Sequence, residues 1–314
     1  MCGTDDDEDR DLVTRLVSTE DLSRGYTAFP PRQQGPPPQH FQSLIEELSA
    51  KDRAVETATR RFVFRDGAIT ALRSLATTST LIPTRTEALL AFIWKSTIAA
   101  ATASSSSKPL CLTQAVDLRP RMKKKKTTKN TDLRTKEEDD RVPDDELLLS
   151  RHSIGNLFSM AASFCNEPDS GFGTTTSDLA RLLREAVARA TDDMHLDILS
   201  SQKGSDAMVE GLGIGVPTLM CSSWIRFGFS DIDFGWGKPV WSGVVGEAHG
   251  DNTAPGNLII LKELAPKKEE NYNNNNYDNS GIEAWIRMDH KLMAALEKDP
   301  EFLEFVAPNP PILY

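Results

Sequence analysis

A chain of 314 residues, 39% hydrophobic and 26% charged, has the make-up of a folded globular protein with room for one large domain or two small ones. Its 36 basic against 46 acidic residues give a formal charge of -10, which argues against general attraction to nucleic acid or to an anionic membrane surface. The four cysteines, Cys2, Cys111, Cys165 and Cys221, lie far apart with no CxxC pair, a pattern that fits a reducing compartment better than a zinc ribbon or a secreted disulfide scaffold.

The N-terminus opens on Asp5-Asp6-Asp7-Glu8-Asp9, unlike the basic, apolar start of a secretory signal or an acid-poor transit peptide. No apolar stretch reaches the roughly 18 residues of a membrane helix. A cytoplasmic protein is therefore expected. Residues 1–54 are acidic and then rich in Pro and Gln, which predicts a largely irregular connector. From about residue 55 the chain reads as alternating strands and helices. Arg60 to Phe64 predicts a strand, and Ile69, Leu72, Leu75 and Ala76 recur at helical spacing directly after it. Thr84 and Glu87 form a capping-box pattern behind Pro83, and Leu89, Leu90, Ile93 and Trp94 give the next helix an apolar face. Ser104 to Ser107 reads as a small insertion, and Lys123 to Glu146, with four consecutive lysines ahead of Glu137-Glu138-Asp139-Asp140, as a solvated one.

Further on, Ser177 stands where it would cap a helix whose stripe is Leu179, Leu182, Leu183, Ala186, Val187 and Ala190. Asn257 to Leu261 and Ile282 to Met288 predict strands, separated by a loop swollen with Lys267-Lys268-Glu269-Glu270 and Asn273 to Asn276. A last helix is expected from Asp289, with Leu292, Met293 and Leu296 on one face, interrupted by Pro300. Mixed strands and helices indicate a layered α/β arrangement. Two chemical motifs fail on inspection: Asp233-Phe234-Gly235 has no catalytic-loop HRD to make it a kinase triplet, and Gly211, Gly213 and Gly215 are not followed by the Lys-Ser or Lys-Thr of a phosphate-binding loop.

The run Asp233-Phe234-Gly235-Trp236-Gly237 resembles the DFGWG signature of the BAHD family of plant acyl-CoA-dependent acyltransferases. Other segments resemble the same family in order: Phe29-Pro30-Pro31-Arg32, Arg60 to Phe64, Pro83 to Leu89, Phe92-Ile93-Trp94-Lys95-Ser96, Ala115 to Arg121, Ser153 to Phe158, Ser223-Trp224-Ile225-Arg226-Phe227 and Gly281-Ile282-Glu283-Ala284-Trp285. The flavour is closest to the vinorine-synthase-like clade. The resemblance implies a two-layer chloramphenicol-acetyltransferase-like α/β domain over 55–314, the C-terminal lobe of the family fold, with the N-terminal lobe largely missing. It also implies loop insertions at about 122–148 and 265–280 and a DFGWG segment at about 227–246.

The same resemblance implies acyl transfer from CoA to an alcohol or amine of a specialised metabolite. Acyl-CoA would be the co-substrate, a small molecule the acceptor, with no tightly bound cofactor and no metal. The family's catalytic histidine belongs to an HxxxD motif. Here His40, His152, His195, His249 and His290 are followed four places on by Leu44, Asn156, Leu199, Thr253 and Ala294, so no HxxxD exists and no catalytic residue is assigned. Three readings stay open: a truncated transferase served by a separately encoded N-terminal half, a non-catalytic binding or regulatory remnant, and an incomplete reading of a longer gene. His152 and His249 are read as structural.

Within the resemblance, Asp233 is expected to pair with an arginine, Arg119 or Arg121 being the candidates, and Gly235 and Gly237 to supply backbone freedom. Trp236 is expected as a packing anchor. Trp224 and Arg226 match a segment bordering the acceptor pocket, a core tryptophan and a surface arginine being the alternative, and Trp94 and Lys95 match a helix near the CoA channel, although the helical spacing of that pair fits core packing too. If the partner lobe is missing, the stretch from Phe227 to Gly246 should show exposed aromatics among Phe227, Phe229, Phe234 and Trp241.

Overall fold

The computed structural model describes residues 56–106, 108–122, 149, 153–165, 175–192, 217–244, 257–264 and 280–310. The connector over 1–54, the lysine run, His40, His152, His195, His249, the alternating glycines and nearly all of the 265–280 insertion lie outside them. Contacts divide the chain into two units, one of Met1–Pro36, Val116–Met160 and Ala188–Glu210, the other of Pro37–Ala115, Ala161–Val187 and Gly211–Tyr314.

Strand β1 (Thr57–Arg65) runs straight into helix α1 (Asp66–Ala76), the expected strand-to-helix unit. Helix α2 (Arg85–Ala103) starts at the predicted capping box, in which Thr84 accepts from the Glu87 N–H and Glu87 accepts from the Thr84 N–H. Strands β2 (Cys111–Asp117) and β3 (Phe158–Phe164), helix α3 (Thr176–Ala190) and strand β4 (Thr218–Ser223) follow. A 3₁₀ turn at Phe229–Asp231 precedes strands β5 (Leu258–Glu263) and β6 (Gly281–Asp289), helices α4 (His290–Leu296) and α5 (Pro300–Phe305), and the short β7 (Ala307–Pro308).

The strands form one sheet in the order β3-β2-β4-β5-β6-β1-β7. Strands β2, β4 and β5 are mutually parallel, while β6 is antiparallel to β5 and to β1. Strand β6 alternates cleanly. Ile282, Ala284, Ile286 and Met288 enter the core, and Glu283, Trp285 and Arg287 face the other way.

The core of the larger unit lies between the sheet and the helices. Phe62, Phe64, Phe92 and Phe302 form its centre, with ring centroids 5.1 Å apart for Phe62–Phe302, 6.5 Å for Phe64–Phe92 and 5.9 Å for the stacked Phe92–Phe302. Such ring pairs add about 0.5–1.5 kcal/mol each beyond their burial. Helix α2 is apolar over most of its circumference, so it is buried along its length and not just on one stripe.

Two local expectations are corrected. The oxygen that accepts the Asp178 N–H at the start of α3 is that of Thr175, two residues before the anticipated Ser177. Pro300 does not break a helix but begins one: Asp299 caps α5 by accepting from the Phe302 N–H, and a proline in the first turn has no missing donor there.

In the smaller unit, the Leu118 N–H donates to Leu157 O, and Leu118, Met122, Leu149 and Leu157 are buried. The Arg119 guanidinium closes this unit's loop by donating to Ser153 O (2.7 Å), Gly155 O (2.7 Å) and Asp117 Oδ1 (2.8 Å).

Candidate functional site: an aromatic cleft at the ends of the parallel strands

In open α/β sheets the space beyond the carboxyl ends of parallel strands is where ligands bind. Here the chain leaving β4 and the end of β5 border a shallow cleft, open to solvent and lined by Trp224, Phe229, Trp241, Ser242, Lys262 and Glu263 among others. The Trp224 N–H donates to Leu261 O at 2.7 Å, so the turn after β4 is tied to β5 at the cleft's edge. Trp224, Phe227 and Phe229 form a ring cluster, with centroids 6.4 Å apart for Trp224–Phe227 and 5.8 Å for each of the other two pairs.

The floor is charged. Glu283 is fully buried on β6, takes the Arg61 guanidinium at 2.8 Å and the Trp285 indole N–H at 3.2 Å, and has the Lys262 ammonium 3.5 Å away. Lys262 is itself buried, lies 5.9 Å from the centroid of the Trp241 ring, and donates to Ser242 O (2.5 Å) and Ser242 Oγ (3.1 Å). This clasp binds the segment 239–244 to the face of the sheet away from the core, where Trp241 approaches Trp285 with centroids 6.1 Å apart. Gly243 follows from the same packing, since a β-carbon there would collide with the Trp241 ring.

The DFGWG run lies beside the cleft, on the exposed arm between Phe227 and Val240, which carries no strand. Asp233 Oδ1 accepts the N–H of Gly235 (2.8 Å) and of Gly237 (2.9 Å), and these backbone hydrogen bonds, with Lys238 nearby, hold its carboxyl below the usual aspartate range. Gly235 and Gly237 sit at φ 99° and 105°, conformations that disfavour any side chain. The expected arginine partners, Arg119 and Arg121, belong to the smaller unit. Asp233 is satisfied by its own turn, Arg119 by the loop at 153–155, and Arg121 donates to Asp117 O.

Trp236 is no packing anchor here: it is 83% exposed, and stacks on the 72% exposed Phe234 at 5.5 Å. The expectation of bare aromatics on this arm holds for Phe227, at 57%, as well as for Phe234, while Phe229 and Trp241 are half-buried in the cleft.

Of the other site candidates, Trp224 lines the cleft and donates its indole N–H to Ser222 Oγ at 3.0 Å, while Arg226 is exposed on the turn outside the lining. Trp94 is fully buried with its indole N–H on Pro109 O at 2.6 Å, so core packing displaces the channel reading. Lys95 pairs with Glu301 on α5 at 2.5 Å. Cys221, at the end of β4, has its thiol pushed up by burial to about 12, and burial likewise carries Cys111 to about 11, so neither is a thiolate nucleophile at neutral pH. Among the described residues no cluster of three or more His, Cys, Asp or Glu could hold a metal ion, and no helix is long and apolar enough to cross a membrane.

Sequence reasoning missed the Arg61, Lys262 and Glu283 network. Its signal was available as single charged residues within otherwise apolar strands, Leu258 to Glu263 and Gly281 to Asp289, where a buried charge needs a partner.

The sequence profile of the Transferase family matches residues 17–131 and 142–303. Limonoid 7-O-acetyltransferase of Citrus sinensis is 30% identical over 80% of this chain and 49% of its own length. Akuammiline synthase 2 of Alstonia scholaris is 29% identical over 81% of this chain and 50% of its own. The crystal structure of vinorine synthase superposes with a TM-score of 0.52 at 25% identity, covering 80% of this chain and 48% of that one. That of F. sporotrichioides TRI101 complexed with coenzyme A and T-2 superposes with a TM-score of 0.55 at 19% identity, covering 88% and 54%, and shares the fold.

The mixed α/β fold with a single open sheet is therefore that of an acyltransferase. The chain belongs to the Transferase family of BAHD acyltransferases, alongside vinorine-synthase-like members. It spans about half the length of the curated relatives it matches.

Proposed function

We propose that this chain serves acyl transfer from an acyl-CoA thioester to a hydroxyl or amine of a small specialised metabolite, supplying the acceptor-side cleft while a separately encoded half supplies the HxxxD histidine. The family match across two long segments of the chain is the observation that carries this reading. In the reaction, the acceptor oxygen or nitrogen bonds to the acyl carbonyl carbon, the thioester C–S bond breaks, and the proton passes through the histidine to the departing thiol. General-base help of this kind commonly contributes about 10²- to 10⁴-fold. No histidine of this chain stands in an HxxxD setting, so that contribution has to come from outside it. Trp224 and the cleft around it are the proposed place for the acceptor. The DFGWG turn, closed on itself by Asp233, shapes the arm and takes no part in the chemistry. A cytoplasmic location suits the dispersed free thiols of Cys111, Cys165 and Cys221.

The test is release of free CoA thiol from acetyl-CoA over a panel of alcohols and amines, with the purified chain alone and with the HxxxD-bearing half of a relative added. Turnover only in the mixture supports the reading, and its absence in both sinks it. The second reading, compatible with the lack of HxxxD in this sequence, is a non-catalytic binding or regulatory remnant. Acceptor binding with no thiol release in either arm would select that one.

A further inference from the structure

We infer that Arg61, which lies outside the cleft, positions the cleft wall by competing with Lys262 for Glu283. The competition shapes the cleft whichever reaction the chain serves. On the face of the sheet away from the core, one buried carboxylate, Glu283, is set against two buried cations. Lys262 stands directly opposite it across β5 and β6, and Arg61 one diagonal step away across β6 and β1. Each cation makes up its shortfall on a backbone carbonyl of a neighbouring segment. The Arg61 guanidinium donates to Pro310 O, just past β7, and the Lys262 ammonium to Ser242 O in the cleft wall. Contacts thus run without a break from the β7 edge of the sheet to the cleft.

The two claims on Glu283 are unequal. Arg61 holds Oε1 at 2.8 Å, the length of a full charge-assisted hydrogen bond, whereas Lys262 stands 3.5 Å from Oε2, an oxygen that also takes the Trp285 indole N–H at 3.2 Å. With Glu283 engaged by Arg61, the ammonium spends its donors on Ser242 O and Oγ. The wall leans on that grip: among the described residues the Trp241 indole N–H is buried without a partner, and its ring rests on Lys262 and Trp285. Without Arg61, a bare carboxylate oxygen lies within reach of the ammonium, and a hydrogen bond between two charges outweighs one to a neutral carbonyl. Lys262 then turns to Glu283, and segment 239–244, which brings Pro239, Trp241 and Ser242 to the cleft, comes loose. Arg61 is therefore a positioning residue, acting through Glu283 and Lys262.

The test is hydrogen exchange of the full chain, read by mass spectrometry over peptides from 239–244 and from α2. Arg61→Met leaves Glu283 and Lys262 as a balanced pair, and exchange within 239–244 should rise about fivefold while α2 is unchanged. Should that variant fail to fold, as fast exchange in α2 would show, Arg61→Gln, which keeps a neutral donor for Pro310 O, takes its place with the same expectation. Arg61→Lys keeps a cation beside Glu283 and should hold 239–244 within about twofold of the native chain. Asn309→Ala removes the acceptor of the Arg61 backbone N–H and so weakens β7, but it leaves the guanidinium on Glu283 and should leave 239–244 as it is. Native exchange in 239–244 after loss of the Arg61 charge, loosening in Arg61→Lys as great as in Arg61→Met, or equal loosening in Asn309→Ala would overturn the inference. None of these readouts depends on thiol release, so the proposed reaction stands or falls separately.

Discussion

Around Phe302, four phenyl rings from β1, α2 and α5 pack edge to face and face to face with no solvent between them, whereas on the arm from Phe227 to Val240 the rings of Phe234 and Trp236 stack on each other in open water. Both regions are aromatic, and both contain stacked pairs. They differ in what stands behind the rings. The core rings are backed by the sheet and its helices, while the arm is held by its own turn hydrogen bonds at Asp233 and by the Lys262 clasp at its far end. Ring contacts by themselves therefore do not make a core here, and the same residue types serve stability in one region and remain free for recognition in the other.

That contrast is broken most directly at its strong end. Phe302→Ala should destabilise the chain by about 3–5 kcal/mol in denaturant unfolding, because the cavity lies among rings that cannot collapse into it. The buried charges come next. Glu283→Ala strands two cations, Arg61 and Lys262, and should cost about 3 kcal/mol. Lys262→Met leaves the Arg61 pair whole and should cost under about 1.5 kcal/mol, its main effect being faster proteolysis within 239–244 as the clasp opens. Equal losses for the two variants would show that Glu283 does not depend on both partners.

A smaller effect is expected at the entry to α2, where Thr84→Ala should cost about 1 kcal/mol by thermal or chemical unfolding. Burial alone would raise the Glu87 carboxyl, but hydrogen bonds from Arg184 and from the Thr84 backbone outweigh it and hold the group below its ordinary value. Glu87 therefore contributes stability that is present above the ordinary carboxylate range and is lost as pH falls through its lowered folded value. Arg184→Ala should flatten that acid limb of the stability curve. The weakest effect on folding belongs to the arm: Phe234→Ser with Trp236→Ser should shift stability by no more than about 0.5 kcal/mol while visibly reducing self-association by light scattering.

Elements fixed by local chemistry were legible before any coordinates. The Thr84 and Glu87 box, the strand at Arg60 to Phe64 and the period-two alternation in Ile282 to Met288 all depend on residues close in sequence. Pro300 was misread because a proline that starts a helix and one that ends a helix differ only in what precedes it, and Asp299 was the overlooked cap. Trp94 and Lys95 were ambiguous for a physical reason, since helical spacing says which face a residue shares but not whether that face meets solvent or another layer. The cleft was only half visible. Trp224 stood out through its motif, but the joining of Lys262, Glu283 and Arg61 depends on strand register between segments more than 200 residues apart, which periodicity does not encode.

The nine-residue pairing of β1 with β6 has a consequence for how the molecule is made. Arg61 and Glu283 are separated by 222 positions, so β1 cannot pair with β6 until the long stretch of chain between them has been synthesised. Until β6 is made, Phe62, Val63 and Phe64 lack the antiparallel neighbour that pairs them in the folded sheet.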